Sequence, residues 1–323
     1  MLDGFNPDAP GKTILDLTAI TPGIDGLQED VICTINNGEG PRVILCGGIH
    51  GDEYEAQIVL RQLVNEIQPQ DVRGRLIIIP TINPSASQRG QRISPEDGQN
   101  MNRTFPGKAE GSVTERMSAF LHDVVFPQAD LLVDVHAGGG DYNVVPMVFG
   151  FTSDKCSIDN AALEGILDSW GYPYIEYVEG IASTSAGASP LAGVASVEIE
   201  GGGGGAVRTE EVAIMRDGIL RGLKAYGVLT KGAESPGNST AIRVDVRKDN
   251  NHMAEGDGIV EHRVPLGAEV ATGDLLAVIH PAHGRTGTPV EIRAKGPGIV
   301  LRQRARFFIR KGELICNTGT LRA

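Results

Sequence analysis

The chain has 323 residues, 41% hydrophobic and 22% charged, with 29 Lys and Arg against 41 Asp and Glu and a net charge of −12. It is too apolar for a disordered chain and, at about 150 residues per domain, long enough for two domains. The acidic balance excludes nucleic acid and anionic membrane surfaces as expected partners, because both are bound by clustered cations.

The opening stretch, MLDGFNPDAPGK, carries acids and a proline without an apolar core and predicts no secretory signal. No apolar run approaches the roughly 20 residues of a membrane helix. Cys33, Cys46, Cys156 and Cys316 lie far apart without a CxxC pair, as expected of reduced core residues in a soluble cytoplasmic protein. Arg42–Cys46 reads as a buried strand, and Ala56, Val59, Leu60, Leu63, Val64 and Ile67 then recur at helical spacing. Leu76–Ile79 and Leu131–Val135 are further strands, the second after a helix-like stretch from Val113 to Val124. Met147–Phe149, a helix over Ala161–Trp170, a strand over Ala195–Ile199 and a helix over Glu210–Tyr226 complete the series. This alternation predicts an α/β layer structure around a mixed, largely parallel sheet flanked by helices, over residues 1–230.

The texture then changes. Lys231–Thr240 is polar and rich in Gly, Pro and Ser, and reads as a linker. Short β-like runs follow at 241–246, 258–264, 275–279, 290–292, 299–301 and 314–316, predicting a smaller all-β domain over residues 240–323. The five glycines Gly201–Gly205 lack the Lys-Ser or Lys-Thr of a phosphate loop and predict a flexible turn or a glycine-lined approach to a site.

Chemistry concentrates at two strand ends. In Cys46-Gly47-Gly48-Ile49-His50-Gly51-Asp52-Glu53 a buried strand ends at glycines, and a His and a carboxylate follow where the next helix begins. His136 closes the strand Leu131–Val135 and is again followed by glycines. Open α/β sheets place ligands at the carboxyl ends of their strands, so parallel strands would bring His50, Glu53 and His136 together. Two imidazoles and one carboxylate form a donor set typical of catalytic zinc, with a fourth position left for water. Asp134, on the same strand face as His136, is expected to orient that imidazole. Each motif alone is weak, since a His at a strand end is usually structural and an HxxE arises by chance.

Gly48–Glu53, Asn102-Arg103-Thr104-Phe105-Pro106-Gly107, Asp134–Gly139 and Val197-Glu198-Ile199 occur in the order of the succinylglutamate desuccinylase/aspartoacylase family, and the chain resembles it over nearly its whole length. The details HGDEYE and NRTFPG look closest to bacterial members that deacetylate N-acetyl-diaminobutyrate in ectoine breakdown. The resemblance implies a zinc-carboxypeptidase-like fold, one zinc ion per chain held by His50, Glu53 and His136, and hydrolysis of a small N-acyl amino acid by metal-activated water. It implies Glu198 as the catalytic carboxylate and Arg92, Asn102 and Arg103 as substrate-facing residues; by its chemistry Arg92 is expected to act in catalysis by stabilising the oxyanion, with Arg103 and Asn102 binding the substrate. Glu198 also interrupts a core-like strand, where an unpaired acid is costly. Glu200 shares its strand parity, so either acid could face the cleft.

The tail resembles a biotinyl/lipoyl-type β-sandwich, but Ala282–Thr288 contains no carrier lysine and suggests a structural or gating wall. Tyr142 and Arg208 are further candidate substrate contacts, and His122, His252, His262, His280 and His283 are expected to be structural or superficial. The competing readings are a carboxypeptidase acting on short peptides and a non-catalytic protein that binds an N-acylated metabolite. The acyl group, the amine side chain and whether the chain forms a homo-oligomer are not encoded in the spacing.

Overall fold

A computed structural model describes residues 5–21, 24, 28–177, 183–232, 240–246, 248–282 and 287–322. Strands form where a run is apolar on both faces. In β3 (Arg42–Gly47) and β4 (Gly74–Ile79), Val43, Leu45, Leu76 and Ile78 enter one core, while Ile44, Cys46, Ile77 and Ile79 enter a second. A parallel strand covered on both faces therefore reads as a continuous apolar run rather than an alternating one. In β5 (Leu131–Val135) and β8 (Ala195–Gly203) the first core takes Leu131, Val133, Val197 and Ile199. Leu132 enters the second core, and by strand parity Asp134, Ser196 and Glu198 share its side of the sheet.

Helices cover the two faces. The first core is closed by α1 (Tyr54–Glu66), α4 (Asn160–Ser169) and α6 (Thr209–Ala225). The second is closed by α3 (Val113–Phe120), which runs into a π-helical turn at Leu121–Val125 where the sequence predicts one continuous helix. Two short helices, α2 (Pro84–Gln88) and α5 (Ser185–Ala188), lie among the loops at the sheet's carboxyl rim. No helix of the described residues is long and apolar enough to cross a membrane.

The sheet is mixed. Parallel pairs join β3 to β4, β3 to β5 and β5 to β8. At one edge β1 (Gly11–Asp16) and β2 (Val31–Asn37) run antiparallel, and on the other side β6 (Tyr142–Phe151) runs antiparallel to β8. A parallel return needs a crossover of a dozen or more residues. The loop 136–141 between β5 and β6 is shorter, so β6 turns back and the largely parallel sheet expected from the alternation is confined to the centre and to β6–β7–β9.

The C-terminal strands are attached to this sheet rather than merely tethered. β9 (Ile242–Asp245) pairs in parallel with β7 (Tyr174–Tyr177). Beyond β10 (Asn251–Met253), β11 (Gly258–His262), β12 (Glu269–Val270), β13 (Leu275–Pro281) and β14 (Val290–Arg293), strand β15 (Gly298–Arg304) pairs antiparallel with β6. Val144, Val145, Met147, Val244, Ile299 and Leu301 form a buried cluster across that junction. Strands β14, β13, β11 and β16 (Phe308–Ile309) make a separate small sheet, while β17 (Leu314–Leu321) joins β9 to β15 in the large one. Residues 233–239 of the expected linker, and 283–286 of the lysine-free stretch with His283, lie outside the described residues.

Candidate active site

The carboxyl ends of β3, β5 and β8 bring the chemistry to one rim. After β3 the chain turns at Gly48, whose φ of +62° favours glycine, and passes against α2 at Gly51. A Cβ on Gly51 would stand 2.1 Å from the Ala86 carbonyl carbon, so only glycine fits there. This turn places His50 inward and leaves Glu53 at the cap position of α1. Glu53 makes no side-chain cap bond. Its carboxylate is directed instead at both imidazoles: Oε1 lies 2.7 Å from His50 Nδ1 and Oε2 lies 2.8 Å from His136 Nδ1.

The far nitrogens are anchored. His50 Nε2 stands 3.1 Å from Asn100 Oδ1, an oxygen that also accepts from the Asn102 backbone N–H. His136 Nε2 stands 3.2 Å from Asp134 Oδ2. An imidazole that donates from Nε2 keeps its Nδ1 lone pair for another partner. His50 Nδ1 and Glu53 Oε1 then turn lone pairs towards each other, an arrangement that a cation or a proton between them resolves.

Electrostatics point the same way. Burial keeps His50 below the ordinary histidine range despite Glu53 beside it. At His136 burial also opposes the charge, but Asp134, Glu53 and Glu198 outweigh it and raise this histidine well above its usual value. Glu53 is drawn well below the carboxylate range by the two imidazoles, against its own burial. The surroundings thus demand positive charge between these three side chains. Their donor atoms lie within 4.8 Å of one another, so the residues fit a divalent ion in donor type, spacing and charge.

A second group of donors, Asp134, His136 and Glu198, meets the same spacing. Asp134 is already engaged there, with Oδ2 accepting from Ser185 Oγ and Oδ1 lying 3.6 Å from Cys46 Sγ. It serves His136 as a fixed acceptor. Ser185 also holds Asn102: its backbone N–H donates to Asn102 Oδ1 at 2.8 Å, which leaves Asn102 Nδ2 3.3 Å from His136.

Beside this group is a cavity of about 140 Å³, lined by His50, His136, Arg92, Asn102, Arg103, Thr184, Glu198 and Glu200 together with Phe149, Phe151, Glu176 and Arg302. Both acids of β8 therefore face it. Glu198 is buried and sits against Asp134 on the neighbouring strand, and desolvation raises it to about 8. Glu200, one step nearer the glycines, is raised by desolvation to about 7 and faces Arg302 at 3.6 Å. Arg92 donates to Glu53 Oε1 at 2.8 Å, and Arg103 donates to the Asn102 carbonyl at 2.6 Å.

Residues 39–226 match the succinylglutamate desuccinylase/aspartoacylase catalytic domain. An N-alpha-acetyl-L-2,4-diaminobutyric acid deacetylase from Halomonas elongata is 33% identical over 88% of this chain and 83% of its own. The chain belongs to this family. It is an enzyme of the family's N-acyl-amino-acid deacylase class. The product-bound ectoine utilization protein EutE (DoeB) from Ruegeria pomeroyi superimposes with a TM-score of 0.87 at 33% identity, covering 98% of both chains. A succinylglutamate desuccinylase/aspartoacylase from Rhodobacter sphaeroides gives 0.86 at 30% identity over 99% and 98% of the two chains.

Within this desuccinylase/aspartoacylase fold, the seven residues singled out in the sequence line one cavity or, in the case of Glu53, join His50 and His136 at its edge. Tyr142 and Arg208 are not among those that line it. Tyr142 lies under the Arg304 guanidinium, 5.6 Å from ring centroid to cation, and Arg208 pairs with Glu211 at 2.9 Å. The remaining described histidines bond to residues outside the cavity lining: His122 to Asp123, His252 to Thr318, His262 to the Arg304 carbonyl and His280 to Glu261. The glycine run forms no anion loop: Gly201–Gly203 extend β8 against β6, and a Cβ on Gly203 would stand 2.3 Å from the Tyr142 carbonyl oxygen.

Sequence reasoning missed Glu176, Arg302, Ser185 and Asn100. Glu176 carried the same signal as Glu198, an acid inside an apolar strand, in Tyr174-Ile175-Glu176-Tyr177. Arg302 carried none, because it reaches the cavity from β15 only through the pairing of β15 with β6.

Proposed function

We propose that this protein is a zinc-dependent amidohydrolase that removes an acetyl or succinyl group from a small N-acyl amino acid. The observation that carries the reading is the convergence of His50 Nδ1, the Glu53 carboxylate and His136 Nδ1 beside Glu198, at the edge of a small polar cavity. His50, Glu53 and His136 would hold the ion, which when bound polarises the scissile carbonyl and makes water nucleophilic near neutral pH. Asp134 holds the His136 ring by its Nε2, and Asn100 does the same for His50.

Glu198 receives the proton lost by the attacking water and delivers it to the leaving nitrogen. Its raised value suits that exchange, because a shuttle works best when its pKa lies near the working pH. Arg92 stabilises the oxyanion, with its guanidinium already fixed at this edge by Glu53. Arg103 grips the substrate α-carboxylate through its planar fork, and Asn102 adds a hydrogen bond from Nδ2, its Oδ1 being occupied by Ser185. The deacetylase from Halomonas elongata supports acetyl as the acyl group.

Cleavage of short peptides is the competing reading. A cavity of about 140 Å³ walled by Arg302 supports a small substrate over an extended chain. The test is a panel of N-acetyl, N-succinyl and N-formyl amino acids against dipeptides and tripeptides, using zinc-loaded protein and chromatographic detection of the free amine. Amine release from the acylated amino acids is expected, and cleavage of peptides alone would overturn the reading.

A further inference from the structure

Two further acids flank Glu53 without facing the cavity beside Glu198. Asp52 and Glu55 line instead a separate cavity of about 270 Å³. Each gives its carboxylate to a backbone N–H in a glycine loop. Asp52 Oδ2 accepts from Gly140 at 2.8 Å, in the loop that follows His136. Glu55, buried in the first turn of α1, accepts at Oε1 from Gly203 at 3.0 Å, in the run that follows Glu198 and Glu200. The two loops are bonded to each other as well. The Gly204 N–H donates to the Tyr142 carbonyl at 2.8 Å, and the Gly205 N–H donates to the Gly139 carbonyl at 2.9 Å.

The approach is too close for side chains. A Cβ on Gly139, where φ is +57°, would stand 2.8 Å from Asp52 Oδ2. One on Gly202, where φ is +77°, would stand 3.0 Å from Glu55 Oε1. Glycine lets the backbone come up to the two carboxylates. Stability alone does not account for the arrangement: Asp52 Oδ1 is buried without a hydrogen-bond partner among the described residues, which costs folding free energy.

We propose that Asp52 and Glu55 are positioning residues that brace three segments into one preformed site: the turn carrying His50 and Glu53, the loop after His136, and the end of β8 carrying Glu198 and Glu200. This inference rests on the deacylase reading above and gives the glycine run a purpose in it. Glu53 Oε2 also accepts from the Ala137 N–H, at 3.2 Å, so the bond from Asp52 to Gly140 is a second tie between the same two segments. Two ties fix an orientation that one leaves free. Glu55 ties α1 to the third segment in the same way. Neither acid touches substrate in this arrangement; they act by holding the groups that do, where a small misplacement is costly.

The experiment uses the full chain in four variants, Asp52→Ala, Asp52→Asn, Glu55→Ala and Glu55→Gln. The amides keep an accepting oxygen and lose the charge, which separates the bond from the charge. Competition with a chromophoric chelator should show zinc affinity weaker by about tenfold or more in Asp52→Ala and largely restored in Asp52→Asn. The thermal midpoint of the metal-free chain should stay near that of the wild type in both. At saturating zinc, Glu55→Ala should lose about tenfold in kcat with KM little changed, and Glu55→Gln should recover it. Unchanged affinity in Asp52→Ala, a loss that persists in Asp52→Asn, or a loss that comes only with a lowered metal-free midpoint would overturn the brace and leave the deacylase intact. So would an unchanged kcat in Glu55→Ala, or a deficit that Glu55→Gln does not repair. Wild-type protein that neither binds zinc nor releases amine from acylated amino acids would overturn the deacylase reading and the brace with it.

Discussion

Asp134 and Glu198 are register partners on the parallel strands β5 and β8, two buried carboxylates side by side with His136 within reach of both. Their environments push them apart. Burial opposes charge at both, but His136 and the bonds from His136, Ser185 and Cys46 hold Asp134 below its usual value. His136 draws Glu198 down as well, but Glu198 has none of those hydrogen bonds, and desolvation leads its rise to about 8. Under the proposed mechanism such separated acids divide the labour: Asp134 stays charged as a fixed acceptor, and Glu198 is the one to exchange a proton. In Glu198→Gln, kcat should fall by about 10²–10⁴-fold while the zinc content stays near that of the wild type. Glu200→Gln should lose far less in kcat, with its effect mainly in KM. Steady-state kinetics and metal analysis on both variants check this, and the reverse pattern would make Glu200 the base.

Asp134→Asn tests the anchoring of His136. The amide has the same shape, but it can present either oxygen or an N–H to His136 Nε2 and removes the negative charge behind the ring. Loss of such an outer partner typically costs about 10–100-fold in metal affinity. Competition with a chromophoric chelator should show that loss for Asp134→Asn. An unchanged affinity would mean that the ring is held by packing alone.

The sequence made the His50, Glu53 and His136 group legible because its signal is local: glycine turns at strand ends, followed by these side chains. The central strands were legible for a related reason, since burial on both faces leaves no alternation to misread. β1 and β7 escaped notice because both are short and broken by polar residues, and β2 because its apolar start fades into asparagines. The mixed character of the sheet depends on a loop too short for a crossover, a feature of connection length rather than of strand composition. Arg302 was out of reach altogether. Its role follows from the pairing of Arg302 with Val144, a contact between distant segments that no local pattern records.

Adding zinc to metal-free protein should raise its thermal midpoint, because an ion that binds only the folded state stabilises it by mass action, about 2.7 kcal/mol at a hundredfold excess over Kd. His50→Ala removes one of the three donors and should abolish most of that rise. Differential scanning fluorimetry with and without zinc reads both. An equal shift in the variant would place the ion elsewhere.

The metal-free protein also carries a pH signature. Glu198 holds its proton to about 8 in the folded state, whereas an unfolded glutamate releases it near pH 4.3. A raised acid contributes stability that is complete below the unfolded value and is lost as pH rises through the folded one. Glu200, raised to about 7, acts with the same sign, and so does His136. His252, lowered to about 4 by burial, acts with the opposite sign at lower pH, and its effect is common to wild type and variant. Glu198→Gln removes one titrating group from this balance. Its thermal midpoint should therefore gain on that of the wild type steadily between pH 5 and 8, in chelator-treated protein. A difference that stays constant over this range would mean that Glu198 is already ionised in the folded chain, and the proton-shuttle assignment would need another donor.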